Sequence, residues 1–173
     1  MTLVVLIGLS GSGKSFVANI LHKEFGFEWI RSDQIRKEMA GLELTKKVKV
    51  GFSEGIYAED WTRKVYERML EIAEEKLRQG KSVVLDATFL KKWQRQMVLK
   101  KFPDAVLIWI TASEEEILKR LNSREDISDA DVEIYLKQKE IFEPPQEAFI
   151  LDTTKNSGYI RERLKEILER SHS

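Results

Sequence analysis

Short runs of aliphatic and β-branched residues alternate along this chain with longer stretches whose apolar positions recur every three or four residues. TLVVLI at 2–7 predicts a buried strand and KSFVANILHKEF at 14–25 a helix. FEWIR at 27–31 predicts a second strand, and DQIRKEMA at 33–40 a short helix. Over 41–57 the glycines and lysines keep neither period, which predicts a loop. From 58 to 80 the residues Trp61, Val65, Met69, Ile72, Ala73 and Leu77 share one helical face, and Gly80 supplies a stop. SVVLDA at 82–87, AVLIWI at 105–110 and AFILDT at 148–153 add three apolar strands. Helical stretches are expected near 91–101, 113–122, 129–141 and 157–170. Five apolar strands interleaved with helices predict an α/β fold whose parallel sheet is covered on both faces.

Composition narrows this picture to one domain spanning 1–173. The chain has 173 residues, 42% of them hydrophobic, enough for one substantial core and short for two. No repeat, low-complexity tract or linker divides it. Lys+Arg and Asp+Glu both number 29, so no overall charge draws the chain to nucleic acid or anionic membrane. Any anion must be held by a local site. The absence of cysteine excludes disulfides and thiolate metal sites and fits a reducing compartment, so a cytoplasmic location is expected. The first apolar run is too short for a membrane span and lacks the basic leader of a signal peptide.

The local site lies directly behind the first strand. GLSGSGKS, Gly8 to Ser15, fits GxxxxGK[ST] between a predicted strand and a predicted helix, the context this phosphate-binding motif needs. Its glycines let backbone amides curl toward phosphate oxygens, and the helix that follows points its positive end to the same place. Lys14 then meets the β and γ phosphates, and Ser15 offers its hydroxyl to Mg²⁺. Gly8, Ser10, Gly11, Ser12, Gly13 and Phe16 complete the expected nucleotide-binding set. A guanine-reading Asn-Lys-x-Asp string is missing, which sets GTPase switches aside. Single carboxylates at strand ends, Asp86 and Asp152, set aside motors and AAA-type ATPases, which end a strand with two acids. A small phosphotransferase is the expectation that remains.

Three further clusters supply candidates for the acceptor side. In WIRSDQIRKEM, Asp33 follows the second strand and Arg36 lies one helical turn on. Asp33 can take the proton of an incoming hydroxyl and Arg36 can hold an anionic group beside it; alternatively Asp33 caps a helix and Arg36 is solvated. In SVVLDATFLKKWQRQ, Asp86 ends a strand, where it can orient Mg²⁺, touch the acceptor or act as a cap. Thr88 follows, and Arg95 with Lys92 either lines an anionic substrate path or forms a solvated face. In EEEILKRLNSREDISDADVE, the polar stretch at about 120–131 suits a helical lid. On closing, Arg124 can stabilise the transferring phosphoryl group while Arg120 lies against the nucleotide; the alternative is a polar hairpin with surface arginines.

GLSGSGKS, SDQIR, DATF after a strand, and the arginine-bearing lid followed by FEPPQE and LDT resemble the P-loop kinases grouped around 5′-hydroxyl polynucleotide kinases, with gluconate kinase-like and zeta-toxin-like relatives. The resemblance runs over essentially the whole chain. It implies a three-layer P-loop sandwich, with ATP and Mg²⁺ at Lys14 and Ser15 and Asp33 as general base. It also implies that Arg36 grips an acceptor phosphate, that Asp86 lies in the acceptor site, and that Arg120 and Arg124 are lid arginines. Phe16 departs from the threonine often found after the motif's serine, and GLSGSGKS is also favoured by adenylylsulfate kinases. The acceptor this implies is a 5′-hydroxyl of DNA or RNA. A metabolite kinase acting on a sugar acid, nucleotide sugar or adenylylsulfate is the alternative, and a non-catalytic nucleotide-dependent regulator is a third class.

Overall fold

In the computed structural model, which describes residues 1–45, 56–123 and 129–172, five strands form one parallel sheet. They are β1 (Leu3–Ile7), β2 (Glu28–Arg31), β3 (Val83–Asp86), β4 (Val106–Thr111) and β5 (Phe149–Asp152), in the order β2-β3-β1-β4-β5. Between them run α1 (Lys14–Phe25), α2 (Ser32–Thr45), α3 (Ile56–Arg78), α4 (Lys92–Lys101), α5 (Glu114–Asn122), α6 (Asp129–Ile141) and α7 (Ser157–Ser171).

Alternation along the central strand builds the layers. Leu3, Val5 and Ile7 point to one face, where they pack with Val65, Tyr66 and Met69 of α3 and Val98 of α4. Val4 and Leu6 point to the other, against Val17, Ile20 and Leu21 of α1 and Ile160, Leu164 and Ile167 of α7. A strand that is buried on both faces needs an unbroken apolar run, and LVVLI is one. The expected fold class is therefore observed, with helices on both faces of a five-stranded parallel sheet. A smaller cluster of Ile117, Leu121 and Tyr135 joins α5 to α6 and rests on Leu9 of the phosphate loop, which brings the helical hairpin over one end of the sheet.

The loop expected over 41–57 is corrected at both ends. Residues 41–45 belong to α2 and 56–57 open α3, while 46–55 lie outside the described residues. A glycine inside a helix costs only about 1 kcal/mol relative to alanine, and the Leu-Glu-Leu that follows Gly41 is strongly helix-forming. Gly80, by contrast, is the stop that the sequence suggests. At φ +82° it donates its amide to Leu77 O (2.9 Å), and Lys81 donates to Lys76 O (3.1 Å), the paired bonds of a Schellman motif.

In open parallel sheets the loops at the carboxyl ends of the strands form the ligand crevice. Here the motif loop after β1, the start of α2 after β2 and the turn after β3 all emerge at that end.

Candidate active site

Two close approaches explain the glycines of the loop. A Cβ on Gly8 would sit 2.7 Å from Ile110 O and 2.7 Å from Ser12 Oγ, and Gly13 adopts φ +101° with its missing Cβ 2.8 Å from Thr153 Oγ1. Any larger residue at either position displaces the loop. Gly8 N donates to Thr88 O (3.1 Å) and Ser12 N to Leu9 O (3.1 Å), which curls the chain around its own centre. The Ser12 hydroxyl is buried beneath the loop and has no hydrogen-bond partner among the described residues. Lys14 Nζ lies back over the loop, donating to Gly8 O (2.9 Å) and Leu9 O (3.2 Å). Gly13 caps α1 without a side chain, so the first-turn amides and the positive helix end face the crevice.

The crevice is a cavity of about 440 Å³ lined by Lys14, Ser15, Arg31, Asp33, Asp86 and Thr88 among others. Ser10, Gly11, Gly13 and Phe16 also line it, together with Arg120 from α5 and Gln138 from α6. Asp86, only 7% exposed, is the hub. Its Oδ2 accepts from Ser15 Oγ (3.3 Å) and from the indole N–H of Trp29 (3.0 Å). The cap alternative for Asp86 therefore gives way to a carboxylate turned toward the motif serine. Asp33 is exposed in the first turn of α2 and makes no hydrogen bond or ion pair with any described residue. It does not cap the helix.

Arg36 is half-buried and is not among the residues lining the cavity; with Asp33 it stands within electrostatic reach of the Tyr66 hydroxyl. Tyr66, 4% exposed, accepts from Phe89 N (3.2 Å), has the Thr88 side chain beside it, and stacks on Phe89 at 4.8 Å between centroids. Burial pushes its phenol above the usual tyrosine range, so it stays a neutral hydroxyl. Phe89 itself has φ +46°, an unusual conformation for a bulky side chain. Tyr66→Phe orphans the buried Phe89 amide at this strained turn. We expect it to cost about 1–3 kcal/mol, a fall in Tm of roughly 3–10 °C by thermal melting of a chain this size.

Arg95 is corrected outright. It is 5% exposed, with NH1 donating to Phe89 O (2.7 Å) and NH2 to Glu143 O (2.6 Å), so it braces the turn from behind and does not line the crevice. Its spacing from Asp86 could not reveal this, because both hydrogen bonds are made to backbone carbonyls brought together by the fold. Arg124 lies outside the described residues.

Arg120 is held by four contacts. NH1 donates to Gly11 O (3.0 Å) and Thr153 Oγ1 (3.0 Å), NH2 to Thr153 O (2.8 Å), and Nε pairs with Glu116 (3.3 Å). It borders both the crevice and a second cavity of about 330 Å³ between Phe16, Thr153, Lys155 and Ile160. Thr153 was not anticipated as a site residue, although LDTT at a strand end is where one would look. Its hydroxyl donates to Ser12 O and ties the end of β5 to the motif loop. Gln138 was also missed; its Oε1 accepts from Ser10 N (2.8 Å), joining α6 to the loop. A larger hollow, about 870 Å³, opens around Thr2, Phe102 and His172 and contains none of these residues. Among the described residues no helix is long and apolar enough to cross a membrane.

Comparison with known proteins supports the same frame. Residues 3–145 match the family described as the AAA domain. A shikimate kinase of Thermodesulfovibrio yellowstonii is 32% identical over 122 residues, 68% of this chain and 62% of that protein. The chain thus spans less than two thirds of the length of this curated relative. Among solved structures, a sugar kinase from a Janibacter species has a TM-score of 0.73 at 20% identity, covering 98% of this chain and 95% of the other. A gluconokinase from Sinorhizobium meliloti has a TM-score of 0.71 at 19% identity, covering 99% and 94%. Both structures share the P-loop kinase fold. None of the three is a polynucleotide kinase, the group the motifs resemble. The family carries the AAA description, although the strand ends of this chain hold the single acids Asp86 and Asp152.

Proposed function

The chain belongs to the AAA domain family, and from that premise and the crevice we propose that it is a kinase transferring the γ-phosphoryl group of ATP to a hydroxyl of a small metabolite. The observation that carries this is Asp33, a carboxylate with no hydrogen bond or ion pair to the described residues, lining the same cavity as Lys14 and Ser15. Shikimate, sugar and gluconate kinases among the relatives favour a small hydroxy acid or sugar over a nucleic acid end, and the metabolite alternative replaces the polynucleotide expectation.

In this reading the loop amides and the amino end of α1 hold the β and γ phosphates, and Lys14 leaves its carbonyl partners to neutralise the oxygens that gain charge. Arg120, fixed by Thr153, stands between the phosphates and a nucleoside seated in the second cavity near Phe16 and Ile160. Ser15 and Asp86 place a hydroxyl and a carboxylate 3.3 Å apart, the hard oxygen donors that suit Mg²⁺. When bound there, the ion would offset phosphate charge. Asp33 takes the acceptor's hydroxyl proton as that oxygen bonds to the γ phosphorus and the bond to the ADP oxygen breaks in line.

The test is transfer of label from γ-labelled ATP in the presence of gluconate, shikimate, neutral sugars and a 5′-hydroxyl oligonucleotide. Label on a small hydroxylated compound is the expected result. Label on the oligonucleotide alone reinstates the polynucleotide reading, and label on nothing favours a non-catalytic nucleotide-binding regulator.

A further inference from the structure

Arg31 is the cation of the crevice that the motifs do not account for. It ends β2, and its Cα pairs in register with Asp86 on β3, which in turn pairs with Leu6 on β1. Residues in register on neighbouring parallel strands share a face, so Arg31 and Asp86 stand side by side. An arginine beside an aspartate would ordinarily form an ion pair with it. Here it does not. The Asp86 carboxylate turns to Ser15 and to the Trp29 indole N–H, while the Arg31 guanidinium lies over the Trp29 ring, 5.0 Å from its centroid. Trp29 thus performs two tasks with one side chain: its N–H occupies the neighbouring acid and its face supports the arginine.

Stacking on an aromatic face leaves the guanidinium edge, a rigid fork of N–H donors, available for a planar carboxylate or a phosphate. Among the described residues no carboxylate pairs with it. The edge belongs to the crevice, since Arg31, Ser32 and Asp33 line it together. Position decides which ligand it serves. Strands lie about 4.8 Å apart, so β2 stands roughly 10 Å from β1, whose loop and helix carry the donor phosphates. Asp86 lies between the two. Arg31 therefore faces the acceptor half of the cavity, with Asp33 two residues on.

We propose that Arg31, supported by Trp29, is an oxyanion subsite for the acceptor, so that the preferred substrate is a hydroxyl compound bearing a carboxylate or a phosphate. This rests on the kinase reading for which group is the acceptor, but the subsite can be tested by binding alone. Gluconate, shikimate and glucose 6-phosphate, with glucose and shikimate methyl ester as neutral counterparts, are titrated calorimetrically into the full chain saturated with a non-hydrolysable ATP analogue. The wild type is expected to favour at least one anion over its neutral counterpart, and Arg31→Ala to narrow that preference about thirtyfold, the loss typical of one charge-assisted pair. Arg31→Lys restores only part of it, because an ammonium lacks the fork. Affinity for the ATP analogue stays unchanged in both variants. Whether the carboxylate or the phosphate compound wins identifies the kind of anion.

Equal binding of anions by wild type and Arg31→Ala, no anion binding by the wild type, or loss of affinity for the ATP analogue instead would each overturn the subsite. An anion that binds through Arg31 yet receives no label from ATP would sink the kinase reading while leaving the subsite standing.

Discussion

Lys14→Ala is expected to lower the rate of phosphoryl transfer by about 10³ or more while the protein stays folded. The loss has a local cause. Phosphoryl transfer leaves the enzyme little covalent work, so its rate rests on charges placed where the transferring group and the leaving oxygen become negative. On the proposed reading, Lys14 is the cation that serves this task. Its Nζ donates to Gly8 O and Leu9 O at a partly exposed site, so truncation costs the free protein at least these two hydrogen bonds and no core packing. A fall in Tm below about 8 °C is expected, at roughly 2–4 °C per kcal/mol for a chain of this size. Single-turnover kinetics with thermal melting of the same preparation checks both halves. Near-normal transfer by a folded Lys14→Ala protein would remove the phosphate-loop assignment.

Asp33→Asn is expected to reduce turnover by roughly 10² or more with KM for ATP and Tm unchanged. General-base assistance contributes about 10²–10⁴ to a rate, and asparagine keeps the shape while losing the basic oxygen. Because the Asp33 carboxylate makes no hydrogen bond or ion pair with the described residues and does not cap α2, the substitution breaks no native contact among them. The effect should appear in kcat and kcat/KM equally, as it does when an interaction exists only in the transition state. Unchanged turnover under conditions where chemistry limits the rate would exclude Asp33 as the base. A rise in KM for the acceptor alone would make it a binding group.

The elements that were legible in advance share a physical property: their signal is periodic or stereochemical. β1 could be read because a strand covered on both faces must be apolar throughout, and the end of α3 because Gly80 supplies the left-handed residue of a Schellman motif. The far end of α2 was illegible because Gly41 carries the same letter whether it breaks a helix or is tolerated in one. Arg95 failed for a related reason. Among the lysines of LKKWQR it looks like a solvated cation, and only the approach of the Phe89 and Glu143 carbonyls makes it a buried brace.

The sequence by itself determined the layered parallel sheet and the phosphate loop, because strand alternation, glycine spacing and a lysine-serine pair depend on neighbours a few residues away. The assignment of the remaining charges was decided by the tertiary structure. Asp86 faces Ser15 across 71 positions of sequence, and Arg120 reaches Thr153 across 33. Arg31 is kept from Asp86 by an indole two residues before it that is itself bonded to a different strand. A side chain's chemistry is local, but its partner is chosen by which strand ends the sheet brings together, and no short-range pattern encodes that choice.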